Sequence, residues 1–286
     1  MATEGNVVLA NGRIMTFAEY GTPDGQPVFY FHGAPSSRLE PLLIGDEVFS
    51  RFGLRVIAPD RPGMGRSDFQ PHRGLSDWPV DVIALADALG IGTFSVLGNS
   101  GGGVYAAACA ARIPERLHSV VIVSGAWRMD EPRTLANLPF MNRLTWQLAK
   151  RAPILLRLLL KSMGATAGGD LSQLRSRIPA PDYDAFESPG RYEAFGYALR
   201  ESLRQGTKGP AWDMRLYVHP LDIRLQDIQI PLHLFHGAKD TNVPIALVRD
   251  MLAVLPTAKL VAYPHDAHLS TLCEHFDDIA RVLVEG

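Results

Sequence analysis

Four short apolar runs, "PVFYFHG", "LRVIAPD", "TFSVLGNS" and "HSVVIVSG", recur along the first half of the chain, separated by segments long enough for a helix or crossover. They are rich in β-branched or aromatic residues and nearly continuous in hydrophobicity, the pattern of strands buried on both faces. Such strands suit a parallel sheet with helices on each side, because a sheet face open to water would show a polar residue at every second position. Ahead of them, "NVVLANGRIMTFAEYG" alternates apolar with polar residues around Asn11-Gly12, a dipeptide that favours a two-residue hairpin turn. Strands resume with "IPLHLFHG" and "AKLVAYP", with a helix expected between them from about 244 to 255 and a closing helix from about 270 to 284. The expected fold class is therefore α/β, a mostly parallel eight-stranded sheet flanked by helices.

From residue 126 to residue 226 the strand-like runs stop, and the sequence reads as helices broken by Pro139, Pro153, Pro179, Pro181, Pro189 and Pro210. The strands on either side need each other for burial. The expected organisation is one core domain formed by residues 1–125 and 227–286, with a helical cap inserted at 126–226.

A formal net charge of −2 over 286 residues gives no electrostatic reason to expect nucleic acid. Cys109 and Cys273, the two cysteines, lie in helix-like segments without metal-ligand or CxxC spacing and read as buried thiols. The first residues, "MATEGNVVLANGR", lack a basic region leading into an apolar stretch, which together with the few cysteines points to a cytoplasmic protein. The longest apolar run, "APILLRLLLKSMG", is broken by Arg157 and Lys161 and is shorter than the ~20 residues of a membrane span, so no integral membrane association is expected. Lys150, Arg157 and Lys161 form one basic stripe there, which either packs on the protein or touches a membrane surface.

The chemistry centres on "GNSGG", residues 98–102, which fits G-x-S-x-G between an apolar strand and the helix-forming "VYAAACA". A serine on a sharp strand-to-helix turn needs neighbours without side chains, and the following helix aims its unpaired N–H groups at the same spot. By itself the pattern leaves Ser100 either a nucleophile or a small turn residue. A serine nucleophile needs a base, and the base an orienting acid. Asp240 follows the strand "PLHLFHG", and "HDAHLS", with His265 and His268, follows the next strand. Carboxyl ends of parallel strands share one sheet edge, so these residues can converge. Asp130 and Glu131, just after "SVVIVSG", are alternative acids, and His265 is a rival to His268. Gly63 and Gly65 read as a turn, and His32 and His236 as structural.

On these motifs the chain resembles the α/β-hydrolase superfamily, over nearly its whole length outside the insertion. "FHGAPSS" is similar to the H-G-x-P oxyanion turn, "DRPGMGRSD" to the D-x-x-G-x-G-x-S loop, "GNSGGG" to the nucleophile elbow and "HGAKDTNVP" to the acid loop. The resemblance implies Ser100 as nucleophile, Asp240 as orienting acid and His268 as general base, with the Ala34 and Gly101 N–H groups as oxyanion hole. It departs from the usual pattern twice. Ala267 precedes the histidine where glycine is usual, and Gly101 stands where many relatives carry a bulkier residue, which suggests open space beside Ser100.

The implied activity is a serine hydrolase cleaving an apolar, small-molecule carboxylic ester through an acyl-enzyme, with no metal or organic cofactor. Candidate substrate contacts from the cap are Trp127, Leu138, Phe140, Trp146, Phe195 and Trp212. Branches of the superfamily with a carboxylate nucleophile do not match position 100, and the H-G-G-P-G of proline iminopeptidases is absent. Hydrolysis of a C–C bond in a dienone or diketone, and a slow-turnover ligand receptor, are the alternatives.

Overall fold

A computed structural model of the chain describes residues 3–285. The strands are β1 (Thr3–Val8), β2 (Ile14–Gly21), β3 (Gln26–Phe31), β4 (Leu54–Pro59), β5 (Phe94–Asn99), β6 (Leu117–Val123), β7 (Leu232–Gly237) and β8 (Ala258–Tyr263). They form one eight-stranded sheet in the order β1-β2-β4-β3-β5-β6-β7-β8. The β1–β2 and β2–β4 pairs are antiparallel and every other pair is parallel. The helices among the strands are α1 (Asp46–Arg51), α2 (Trp78–Ala88) and α3 (Gly102–Arg112). Six more lie between β6 and β7: α4 (Pro132–Asn137), α5 (Phe140–Arg151), α6 (Pro153–Thr166), α7 (Ala180–Phe186), α8 (Arg191–Ser202) and α9 (Lys208–Leu216). The chain finishes with α10 (Ile245–Leu252), α11 (His268–Glu274) and α12 (Phe276–Glu285).

Both sheet faces are covered, as the unbroken apolar strands require. On one face Phe29, Phe31, Val96, Val120 and Ile122 pack against α2 and α3. The successive small residues Ala106, Ala107, Ala108 and Cys109 let α3 lie close to β5 and β6. On the other face Val28, Tyr30, Leu97 and Val121 meet Phe276, Ile279, Ala280 and Leu283 of α12. Burial of each such side chain contributes roughly 1.5–3 kcal/mol.

Two local expectations are corrected. The first hairpin has a three-residue loop, with Leu9 N–H donating to the Arg13 carbonyl at 2.8 Å. Only Gly12 of the Asn-Gly pair adopts positive φ, at 81°, the bulged arrangement of three-residue hairpins. The closing segment is two helices, not one, because the chain turns at His275 between α11 and α12. That break frees α11 to point its first residue, His268, at the sheet edge while α12 runs along the sheet face.

Phe29 is wholly buried with its ring centroid 4.4 Å from that of Phe94. Phe29→Ala is expected to lower unfolding free energy by about 3–5 kcal/mol, read from a urea transition monitored by circular dichroism.

Candidate active site

Ser100 stands at the end of β5, on the turn into α3, with φ at 50°. A non-glycine residue in this region costs about 1–3 kcal/mol, and the surroundings hold it there. Its N–H donates to the Val123 carbonyl at 2.8 Å, and its own carbonyl accepts from Gly103 and Ala126. The flanking glycines are required by contact. A Cβ on Gly98 would lie 2.5 Å from the Gly102 carbonyl oxygen, and one on Gly102 would lie 1.9 Å from that of Phe31.

The structure brings Ser100, His268 and Asp240 together. Ser100 Oγ lies 2.9 Å from His268 Nε2, and His268 Nδ1 lies 2.7 Å from Asp240 Oδ2. The other Asp240 oxygen accepts from the Asn242 and Val243 N–H groups, each at 2.8 Å, so the acid cannot rotate away. The carboxylate therefore receives Nδ1–H and leaves Nε2 free to accept the serine proton. Burial acts to lower the His268 pKa. The charge and hydrogen bond of Asp240, helped by Asp182 and Glu40, outweigh it and raise the pKa above the ordinary value. His265 is exposed, and Asp130 is engaged by Arg128 at 2.8 Å and Lys150 at 2.7 Å.

Three residues that the motifs did not flag hold this arrangement in place. Asp182, from α7, accepts hydrogen bonds from the N–H groups of His268, Leu269 and Ser270 at 3.2, 2.8 and 2.9 Å. It thus caps the helix that begins with His268 from across the fold, supplying the acceptor that its own preceding residue, Ala267, lacks. Glu40 is buried and accepts from Tyr30 Oη, Gly33 N–H and Asn99 Nδ2 at 2.9, 2.9 and 2.8 Å, which ties the turn after β3 to the elbow after β5.

The third is Arg61, wholly buried. Its guanidinium donates to the His32 carbonyl and, at 2.8 Å, to the Gly33 carbonyl. His32 Nδ1 also lies 2.8 Å from that Gly33 oxygen, while His32 Nε2 accepts from the Arg61 N–H. His32 is therefore a neutral ring with its proton on Nδ1, consistent with a pKa pushed well down by burial and by the Arg61 charge. In a trans peptide the N–H points away from the C=O. Holding the Gly33 oxygen therefore turns the Ala34 N–H the other way, and a charged donor on the oxygen strengthens that N–H as a donor. The turn and loop hydrogen bonds use neither the Ala34 nor the Gly101 N–H, and both residues line the cavity at Ser100.

The open space expected beside Ser100 is absent. A Cβ at Gly101 would lie 2.7 Å from Tyr217 Oη and 2.8 Å from Ala34 Cβ, so the space is taken by a tyrosine from just beyond α9. Tyr217 Oη sits 3.0 Å from both the Gly101 carbonyl oxygen and Asp213 Oδ2, and its single proton serves one of them at a time.

The cavity above Ser100 has a volume of about 410 Å³. Of the aromatic contacts expected from sequence, Trp146 and Phe195 line it, and Trp127, Phe140 and Trp212 do not. Trp127 and Leu138 are both buried in the main core, and Phe140 is 71% exposed. Trp212 packs on Phe69 and His72 and donates to the Arg73 carbonyl. The lining holds Glu40 and Asp182 and no lysine or arginine.

Residues 26–272 match the model of a protein family described as alpha/beta hydrolase fold. A 2-hydroxymuconate semialdehyde hydrolase of Pseudomonas putida is 29% identical over 98% of this chain and 92% of its own length. A bifunctional esterase/perhydrolase of Acinetobacter calcoaceticus is 26% identical over 92% of each chain. A solved structure from a study of carboxylesterases of Nitrososphaera gargenis superposes with a TM-score of 0.72 over 98% of both chains at 17% identity, a likeness of fold.

Removing the Asp182 charge is expected to lower the His268 pKa, since that charge favours imidazolium. NMR titration of the imidazole in Asp182→Asn checks this, and Asp182→Ala should also lose about 1–2 kcal/mol of stability through the lost cap.

Proposed function

Because the chain belongs to the alpha/beta hydrolase fold family, we propose that it is a serine hydrolase that cleaves uncharged carboxylic esters through an acyl-enzyme. The observation that carries this reading is the continuous hydrogen-bonded series Ser100–His268–Asp240, opening into a cavity whose described lining holds no lysine or arginine. His268 takes the Ser100 proton as Oγ attacks the ester carbonyl carbon, and Asp240 holds the imidazole tautomer and stabilises the imidazolium. The Ala34 and Gly101 N–H groups receive the developing oxyanion, each donor being worth roughly 3 kcal/mol in the transition state. His268 returns the proton to the departing alcohol, then activates a water that releases the acid from Ser100.

Residues 126–226 act in this reading as a cap over the core domain of 1–125 and 227–286, and those of their apolar residues that line the cavity, such as Trp146, Leu160, Met163 and Phe195, select the substrate. A volume of about 410 Å³ lies in the lower part of the usual range for small-molecule sites, which suits a small to medium ester. Glu40 and Asp182 give the lining a negative character that disfavours a carboxylate.

A second reading, hydrolysis of a C–C bond, is favoured by similarity to the Pseudomonas putida semialdehyde hydrolase. A muconate-type substrate carries a carboxylate, and a buried carboxylate is costly without a paired charge. The absence of Lys and Arg from the lining therefore ranks this reading below the ester.

Ser100→Ala should lose p-nitrophenyl butyrate turnover by about a thousandfold or more without a change in thermal midpoint; retained turnover would remove Ser100 from the role of nucleophile. Faster turnover of a 2-hydroxy-6-oxo-dienoate than of any ester would favour the second reading.

The pH dependence has a definite sign. His268 acts only when neutral and its pKa is raised, so kcat/KM should climb with pH through an inflection above the usual histidine value of about 6.5. Asp240→Asn should move that inflection to lower pH while reducing the plateau rate.

A further inference from the structure

Helix α6 is apolar on two opposite sides. Its inner side places Leu160 and Met163 in the wall of the cavity, beside a buried Leu156. Its outer side carries Ile154, Leu155 and Leu158, which are 73%, 53% and 61% exposed. At 3.6 residues per turn these three fall within about 100° of one another, so they form one stripe. A helix apolar all round is normally buried, and among the described residues nothing covers the outer stripe.

The charge around this stripe identifies what covers it. From Pro132 to Gly169 the chain has no Asp or Glu, yet it carries Arg133, Arg143, Lys150, Arg151, Arg157 and Lys161, in a protein whose formal net charge is −2. Arg151, Arg157 and Lys161 are exposed. Among the described residues, Lys150 has an acidic partner, Asp130, and these three have none. Arg157 and Lys161 lie one turn apart on the edge of the apolar stripe.

We propose that the outer face of α6, with the Arg151 corner that joins it to α5, docks on the surface of a bilayer containing anionic lipid. Ile154, Leu155 and Leu158 enter the headgroup boundary, and Arg151, Arg157 and Lys161 bind lipid phosphates with their aliphatic stems alongside the stripe. A second copy of the chain is a poorer occupant, because a two-fold contact would set this positive face against itself. An aliphatic stripe is also a poor protein hot spot, where Trp, Tyr and Arg dominate and Leu is scarce. No helix among the described residues is long and apolar enough to cross a membrane, so the association is peripheral.

Docking would put lipid on one side of the helix that walls the cavity on its other side. This extends the hydrolase reading without depending on it, since binding needs no reaction. The test is co-sedimentation with phosphatidylcholine vesicles prepared with and without phosphatidylglycerol. The protein should bind the phosphatidylglycerol vesicles, and binding should weaken roughly tenfold or more in high salt or when the anionic lipid is left out. Ile154→Asp/Leu158→Asp and Arg157→Glu/Lys161→Glu should each lose at least about tenfold in binding, while hydrolysing p-nitrophenyl acetate in vesicle-free buffer at the parent rate. Ser100→Ala should bind like the parent, so failure of binding and failure of the hydrolase reading are separate results. The proposal is overturned if the parent stays in the supernatant with anionic vesicles, or if both double variants bind undiminished. It is equally overturned if the parent is a dimer by sedimentation velocity that Ile154→Asp/Leu158→Asp dissociates.

Discussion

The buried carboxylate of Asp213 is the interaction on which the rest of the site depends. It comes from α9, within the helical insertion, and is wholly buried between Arg61 at 3.0 Å and Arg73 at 2.6 Å, both from the loop after β4. Tyr105 of α3 also donates to it, and Tyr217 lies within hydrogen-bonding distance. Burial by itself would raise the pKa of this acid; the two guanidinium groups outweigh burial and hold it well below the usual carboxylate range. One carboxylate cannot neutralise two buried cations; Arg61 also donates to the His32 and Gly33 carbonyls and Arg73 Nη1 to Tyr105 Oη, while Arg73 Nε has no partner among the described residues. Loss of one partner from such a cluster leaves an uncompensated charge, worth about 3–5 kcal/mol.

What that cluster achieves is alignment. Arg61 takes the Gly33 carbonyl, so the peptide bearing the Ala34 N–H is held from behind, while the Ser100–Gly101 peptide is held through its Ser100 carbonyl by the Gly103 and Ala126 N–H groups. Asp182 does the same for His268 through the first three N–H groups of α11. Both acids belong to the insertion, and both act on groups contributed by the sheet edge. The helical segment therefore does more than enclose a volume. Its seating sets the geometry of residues it contacts, and a shift of the insertion would loosen the His268 helix through Asp182 and the Ala34 N–H through Asp213 and Arg61.

Much of the fold was legible because its signals are local and periodic. Apolar strands such as "PVFYF" and "TFSVL" announce burial on both faces, and six such runs with the opening hairpin account for the eight strands of one sheet. Ser100, Asp240 and His268 were legible because each follows its own strand, and the shared edge of a parallel sheet brings such positions together. The supporting residues were not legible for a physical reason. Asp182 and Asp213 stand in proline-interrupted helices whose sequence gives no sign of what they face, and Asp-to-Arg or Asp-to-N–H pairing across more than eighty residues leaves no spacing to detect. The aromatic residues of the insertion failed as a guide in the same way, since Trp127 and Trp146 look alike in sequence and differ only in which side of a helix or turn meets the cavity.

Gly101 draws the division most clearly. In sequence the position after Ser100 is a glycine where the resembled family often carries a bulkier residue, and that much is legible without a structure. Whether the missing side chain leaves a void or makes room for something else depends on a residue more than a hundred positions away. In the folded protein Tyr217 fills the space and fastens it to Asp213. Hydrophobic periodicity is written along the chain because each strand or helix is a local unit, so sequence pointed to the sheet and to the three residues that follow its strands, while the spatial order of the strands came from the folded structure. Charge pairing, capping and the occupancy of a gap are properties of surfaces that meet only after folding, and tertiary structure alone decided them.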